Sequence, residues 1–248
     1  MLNTLPQTGR RLRRLVLGFA LLGLAASFAS AAPLCVVDAT LQSYITTYNT
    51  FGNACQIGDK LFWGFSLADG ALAIGAEPTA DDIKVLPISG IVGISFNSGF
   101  WDISSSIPID QIIAYQVATL SGQAIITDAT LTIVGTLAGN GASGRVVETL
   151  TPPVAGSPIT AALPNTVSVN IGFSGNPMST FAVSNRLTLI GGSGIGDTAH
   201  ISVIENDFTS SFAVPEPMTT LPVSAGLLIF GVALRKRMSR TAVKVPSR

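Results

Sequence analysis

The chain has 248 residues, 47% hydrophobic and only 11% charged, with a mean hydropathy of +0.52 and a formal net charge of zero. That zero averages unlike regions: residues 32 to 213 carry 13 acids against four bases, a net charge of −9, and the other ten bases flank two apolar segments. An acidic body repels phosphate backbones, which argues against nucleic acid as a partner.

The first segment, "RRLRRLVLGFALLGLAASFASAAP", sets four arginines before an apolar stretch and ends in Ala29-Ser30-Ala31. A basic n-region, an apolar h-region and an A-x-A site predict a secretory signal peptide over residues 1–31. Bases beside apolar runs stay on the cytoplasmic side, so the acidic body faces outward. Cys35 and Cys55 both lie in this exported body, and an oxidising compartment makes a Cys35–Cys55 disulfide the default expectation. Closing that loop would stabilise the fold by roughly 3 kcal/mol in the chain-entropy model. One histidine and no further cysteine leave a zinc site without its ligands.

The body over 32–213 is of a length that suits one domain. Leu41, Tyr44, Ile45 and Tyr48 recur at i, i+3, i+4 and i+7, which predicts a short N-terminal helix with Asp38 as its N-cap. The period then changes to two. In "KLFWGFSL", Leu61, Trp63, Phe65 and Leu67 alternate onto one face, which makes Trp63 a core residue. "GIVGISF", "QIIAYQVAT", "DATLTIVGT", "GRVVETL", "TVSVNIGF", "NRLTLI" and "HISVIEN" follow, rich in Val, Ile and Thr and separated by Gly, Pro, Asn or Ser. Many short strands with turn signals between them predict an all-β, jelly-roll-like antiparallel β-sandwich. "TPPVAGSP" and "GGSGIGD" read as loops. "GNGASG" matches G-x-G-x-x-G only as a string. It lies between two strand-like runs rather than opening a helix, so it reads as a hairpin loop and not as a nucleotide site.

The chemistry-bearing residues are few. His200 is the only histidine, and the alternation of Ile201 and Val203 puts it with Ser202 on a solvent-exposed face. No G-x-S-x-G elbow accompanies it. A hydrolase would need Glu77, Asp81, Asp82, Asp197, Glu205 and Asp207 to supply a paired-acid cleft. Oxygen-rich loops among these acids suit calcium outside the cell, although no EF-hand spacing is present. Phe100-Trp101, after "FNSG", is the aromatic pair best placed on a loop to stack on a sugar.

Near the C-terminus, "VPEPMTTLPVSAGLLIFGVALRKRMSR" joins three features. Pro215 and Pro217 cannot continue a helix or strand, so Pro215-Glu216-Pro217 forms an extended, charged and accessible peptide. Residues 218–234 are 17 uncharged positions, about 25 Å of helix, which is the short end of a membrane span. Arg235, Lys236 and Arg237 stop that span on the cytoplasmic side, and 241–248 form a basic tail. This layout over 214–240 resembles the PEP-CTERM sorting signal of exosortase substrates in Gram-negative bacteria. It departs from that pattern in the further "MSRTAVKVPSR". "LQSYI" and "CQIGDKLFWGF" are also similar to the opening of a group of small exported PEP-CTERM proteins. The resemblance implies an exosortase-type processing enzyme as partner, an inner-membrane anchored precursor and a final place at the cell surface or in the extracellular matrix. The combined expectation is a non-catalytic exported surface protein without cofactor or metal, with exopolysaccharide as a further partner. The alternatives are a carbohydrate- or calcium-dependent adhesive module and, behind it, a secreted hydrolase.

Overall fold

The computed structural model describes residues 32–212 apart from 74–76, 89, 91, 105, 121–123, 165–166 and 174–177. The expected signal peptide, Pro215-Glu216-Pro217, the span 218–234, Arg235-Lys236-Arg237 and the basic tail lie outside the described residues.

In chain order the elements are β1 (Ala39–Thr40), α1 (Leu41–Thr47), β2 (Cys55–Ile57), β3 (Lys60–Asp69), β4 (Lys84–Ile88), β5 (Gly93–Asn97) and β6 (Asp102–Ile103). β7 (Ile109–Thr119), β8 (Ala124–Ala138), β9 (Ser143–Thr151), β10 (Ile159–Ala162), β11 (Val167–Gly172), β12 (Thr180–Ile190) and β13 (Thr198–Phe212) complete the series. Short 3-10 turns at Phe51–Asn53 and Ala80–Asp82 interrupt the connections. Every pair between these strands is antiparallel. They form a seven-stranded sheet in the order β1-β4-β5-β13-β8-β11, with β6 also on β13, and a six-stranded sheet in the order β10-β9-β12-β7-β3-β2. The β-sandwich expected from the alternating runs is therefore present, and its core is built from the inward faces of both sheets.

The alternation explains which face is buried. On β7 the inward residues are Ile113, Tyr115 and Val117, and on β12 they are Phe181, Val183, Leu187 and Leu189. β13 contributes Ala199, Ile201, Ile204 and Phe208 from the opposite sheet. Its inward parity changes after Ile201, where a register shift against β8 accommodates an extra residue. Burying each Val, Leu, Ile or Phe among these stabilises the fold by about 1.5–3 kcal/mol.

Helix α1 forms where its spacing predicts. Leu41, Tyr44 and Tyr48 are buried, and Tyr44 packs edge-on against Tyr48 and Phe65 with ring centroids 5.0 Å apart in each case. The cap is different from expectation. Thr40 is the N-cap, its hydroxyl accepting from the Ser43 amide at 3.2 Å, whereas Asp38 stands two residues earlier in a left-handed turn at φ 64. Cys35 and Cys55 are joined as a disulfide, which ties the segment before α1 to β2.

Trp63 is buried as expected but not on the face expected, and the expectation for Trp101 is overturned. The run Leu61, Trp63, Phe65 and Leu67 does not share one face, because the β3–β7 register slips between Trp63 and Ser66. Gly64 takes φ 67 there, a conformation that a side chain would strain, and the bulge it permits changes the parity of the strand. Before the bulge Phe62 enters the core; after it Phe65 does. Trp63 is buried on the other side, edge-on beneath the exposed Phe51 ring. Trp101, expected at a loop surface, is fully buried, and its indole N–H donates to Gln111 Oε1 at 2.9 Å. "GNGASG" is a loop as expected, but it carries the chain from β8 in one sheet to β9 in the other and so closes no hairpin.

Candidate functional site

The outer face of the seven-stranded sheet carries a cleft of about 550 Å³. Three adjacent strands set its floor, because Lys84 of β4 pairs in register with Asn97 of β5, and Asn97 with Val203 of β13. The 3-10 turn contributes Asp81 and Asp82, the loop after β5 contributes Ser98, Gly99 and Phe100, and β13 adds His200 and Ser202.

Local hydrogen bonds fix each wall. Thr79 and Asp82 form a capping box: the Thr79 amide and hydroxyl donate to Asp82 Oδ2 at 2.9 and 2.7 Å. Those two donors hold the Asp82 carboxyl below its usual range, so it is an anion at neutral pH. Asp81 is exposed, and its Oδ1 accepts a long bond from the Thr40 hydroxyl at 3.4 Å. Ser98 is the pin between turn and loop. Its hydroxyl donates to the Asp82 carbonyl at 3.0 Å and accepts from the Phe100 amide at 3.1 Å, while its amide donates to the Ser202 carbonyl at 3.3 Å. The Ser95 hydroxyl donates to Asn97 Oδ1 at 2.7 Å, which leaves the Asn97 NH₂ as the donor end of that side chain.

Phe100 and Trp101 have opposite fates on neighbouring positions. Trp101 is sunk in the core, and its partner Gln111 donates on to the Pro78 carbonyl at 2.6 Å. That chain of bonds anchors both the loop and the turn that face each other across the cleft. Phe100, one residue earlier, is left 62% exposed at the rim. An exposed phenyl held by a buried tryptophan is a preorganised contact surface.

His200 does not stand on an open wet face as expected. It is half-buried, lines the cleft beside Ser202, and its Nδ1 is buried without a hydrogen-bond partner. The structure does not gather the six acids of the hydrolase expectation. Asp81 and Asp82 line the cleft; Asp197 is turned into its own loop, where it accepts from the Gly194 amide at 2.7 Å. Glu205 and Asp207 belong to a stretch of β13 outside the cleft lining, opposite Ser95 and Gly93. Among the described residues no three of His, Cys, Asp and Glu gather as a metal ion requires. Also among the described residues, no helix is long and apolar enough to cross a membrane.

Sequence reasoning singled out Asp81, Asp82, Phe100 and His200 but not Lys84, Asn97, Ser98 or Ser202. No period within one strand connects these, since the cleft brings residues 81–100 against residues 200–203.

No protein-family model matches the chain, and neither does any curated protein sequence. Among solved structures, the carbohydrate-binding module TmCBM61 in complex with β-1,4-galactotriose aligns at 10% identity and a TM-score of 0.30, covering 60% of this chain and 88% of that one. A family 29 carbohydrate-binding module aligns at 9% identity and a TM-score of 0.18, covering 48% of this chain and 75% of that one. The enzymatically active domain of bacteriophage CBA120 tailspike protein 4 aligns at 8% identity and a TM-score of 0.30; the alignment covers 62% of this chain and only 20% of that one. At such identities and scores the likeness says nothing of what this chain binds.

Proposed function

We propose that this protein is an exported, non-catalytic surface protein whose β-sandwich binds carbohydrate in the cleft beside Phe100. Its signal peptide directs export, and Pro215-Glu216-Pro217 with the apolar span and Arg235-Lys236-Arg237 directs sorting and removal of the tail by an exosortase-type enzyme. The observation that carries the binding reading is the 62% exposed Phe100 ring at the rim of a cleft walled by carboxylate, amide, hydroxyl and ammonium groups. Sugars present the matching chemistry: an apolar C–H face that packs on an aromatic ring, and hydroxyls that pair with fixed polar groups.

One preparation tests both halves. Mature protein recovered from the cell surface is weighed intact and then offered to an oligosaccharide array, with calorimetry on whatever it retains. The expected mass lacks the first 31 residues and everything beyond the Pro-Glu-Pro region. Phe100→Ala is expected to weaken sugar binding by about tenfold, or 1.4 kcal/mol. A mass that runs through Arg248 defeats the processing, and an array with no retained sugar, or an unaffected Phe100→Ala variant, defeats the binding.

A further inference from the structure

A second polar cluster lies at the centre of the sandwich. Glu148 is fully buried on the inward face of β9, between Val146 and Leu150. In its own sheet it stands opposite Asn185 of β12 and Ile159 of β10. Its Oε2 accepts from Asn206 Nδ2, which belongs to β13 of the other sheet. Asn206 Oδ1 accepts from Asn185 Nδ2 at 2.6 Å and from the Tyr115 hydroxyl at 3.0 Å, and Asn206 Nδ2 gives a longer bond to Asn185 Oδ1 at 3.3 Å. One residue of the seven-stranded sheet thus holds three residues from three strands of the six-stranded sheet. The hydrogen bonds run across a seam that is mainly apolar and aromatic packing, with Lys60 to Ser210 and Trp101 to Gln111 as polar contacts elsewhere along it.

Glu148 Oε1 has no hydrogen-bond partner. Among the described residues no cation enters the cluster. Lys60 donates to Asp59 at 2.8 Å, Arg186 is paired with Asp110 on the outer face, Arg145 is exposed, and Lys84 lines the cleft. The titratable groups nearest it are acids and a phenol: Tyr115 within the cluster, and Asp207 and Glu205, which flank Asn206 along β13 on the opposite parity. Burial first, and Asp207 second, push the Glu148 carboxyl up from 4.5 to about 8. Burial and Glu205 push Asp207 up to about 7. A neutral carboxyl in this place leaves one oxygen unpaired, whereas a carboxylate would put an uncompensated charge between the sheets, at far greater cost.

We infer that Glu148 and Asn206 form a pH-sensitive bolt between the two sheets, fastened while Glu148 is protonated and loosened when it ionises. The folded protein keeps a proton that the unfolded chain releases at the ordinary carboxylate value. The stability from the bolt is therefore fully present below about pH 4.5, declines as the pH rises and is lost above about pH 8. Acid surroundings tighten this domain and alkaline ones loosen it.

The test is the chemical-denaturation midpoint of the full chain followed from about pH 5 to about pH 9. The midpoint is expected to fall through this range. Glu148→Gln, which keeps the shape and cannot ionise, is expected to flatten most of the fall, and Asp207→Asn only its own share. The infrared carbonyl stretch of a protonated carboxylic acid, present in the wild-type chain near neutral pH, should lose its Glu148 component in Glu148→Gln and keep only the share of Asp207, and so reads the proton directly. If Glu148→Gln fails to fold, selective isotopic labelling of glutamate carboxyls in the wild-type chain supplies the same reading. A midpoint that is flat or rises with pH, an unchanged slope in Glu148→Gln, or no protonated carboxyl at neutral pH overturns the inference.

Discussion

Asp110 and Glu148 lie on the two faces of the same sheet, each with no exposed surface, and their carboxyls are pushed in opposite directions from the ordinary value. Asp110 on the outer face of β7 receives Arg186 in a two-pronged pair, Nε to Oδ1 at 2.9 Å and Nη2 to Oδ2 at 2.6 Å, together with the Leu72 amide at 2.9 Å. The turn that covers it begins at Gly70, where a Cβ would collide with the Asp110 carboxylate, so only glycine allows the backbone so close. Hydrogen bonding from Arg186 outweighs burial and holds the Asp110 carboxyl below its ordinary value. Glu148 on the inner face receives one amide and no cation, and burial takes it the other way. Depth alone does not decide whether a carboxyl is charged; the donors that accompany it do.

The largest effect comes from giving Asp110 the surroundings of Glu148. Arg186→Met leaves a buried carboxylate without its cation and is expected to cost about 3 kcal/mol, at the low end for a buried pair because Arg186 is 43% exposed. Asp110→Asn in that background is expected to recover much of the loss. The pH dependence separates the two carboxyls further. Because the Asp110 carboxyl is lowered, its contribution is present at neutral pH and lost as the pH falls below the ordinary carboxylate range; Arg186→Met should erase this acid limb while leaving the alkaline decline of Glu148 in place. Loss of both limbs together would show that the two groups are not independent.

A smaller effect is expected from Tyr115→Phe. It removes one of the two donors to Asn206 Oδ1 and should cost about 1 kcal/mol in a denaturation midpoint near neutral pH. No loss would mean that Asn206 is held by Asn185 alone. The smallest belongs to Asp81→Asn, a carboxylate on the exposed 3-10 turn, expected within about 0.5 kcal/mol of the parent stability. A large loss there would mean that exposure, too, is a poor guide to what a carboxyl contributes.

How far the sequence carried depends on the range of the signal. Helix α1 and most long strands were legible because a period of 3.6 or 2 is a local property, and the disulfide because two cysteines in a segment expected to be exported have one pairing. The strand β3 was misread at Trp63 because the alternation continues on paper through Gly64, while the chain inserts a bulge there. Thr40, not Asp38, caps the helix because the chain must first pair with β4. Glu148 was available to the same reasoning and overlooked: Val146, Glu148 and Leu150 share a parity, as do Val183, Asn185 and Leu187, and Ile204, Asn206 and Phe208. Polar residues in step with the apolar face of a strand were the signal for the buried cluster. Nothing comparable announced the cleft. Lys84, Asn97 and Ser202 meet only through register across three strands, and no period within one strand encodes that.

Strand β13 runs from the cleft to the last described residue. It begins beside the cleft at His200 and Ser202 and ends at Phe212, three residues before Pro215, a run of about 40 Å at the rise of a strand. Along this run β5 and β6 pair on one side, and β8 follows the strand for nearly its whole length on the other. Tension between a ligand gripped in the cleft and an attachment beyond Phe212 would pull along the strand, at right angles to those hydrogen bonds. They would share such a load in shear instead of opening singly like the teeth of a zip.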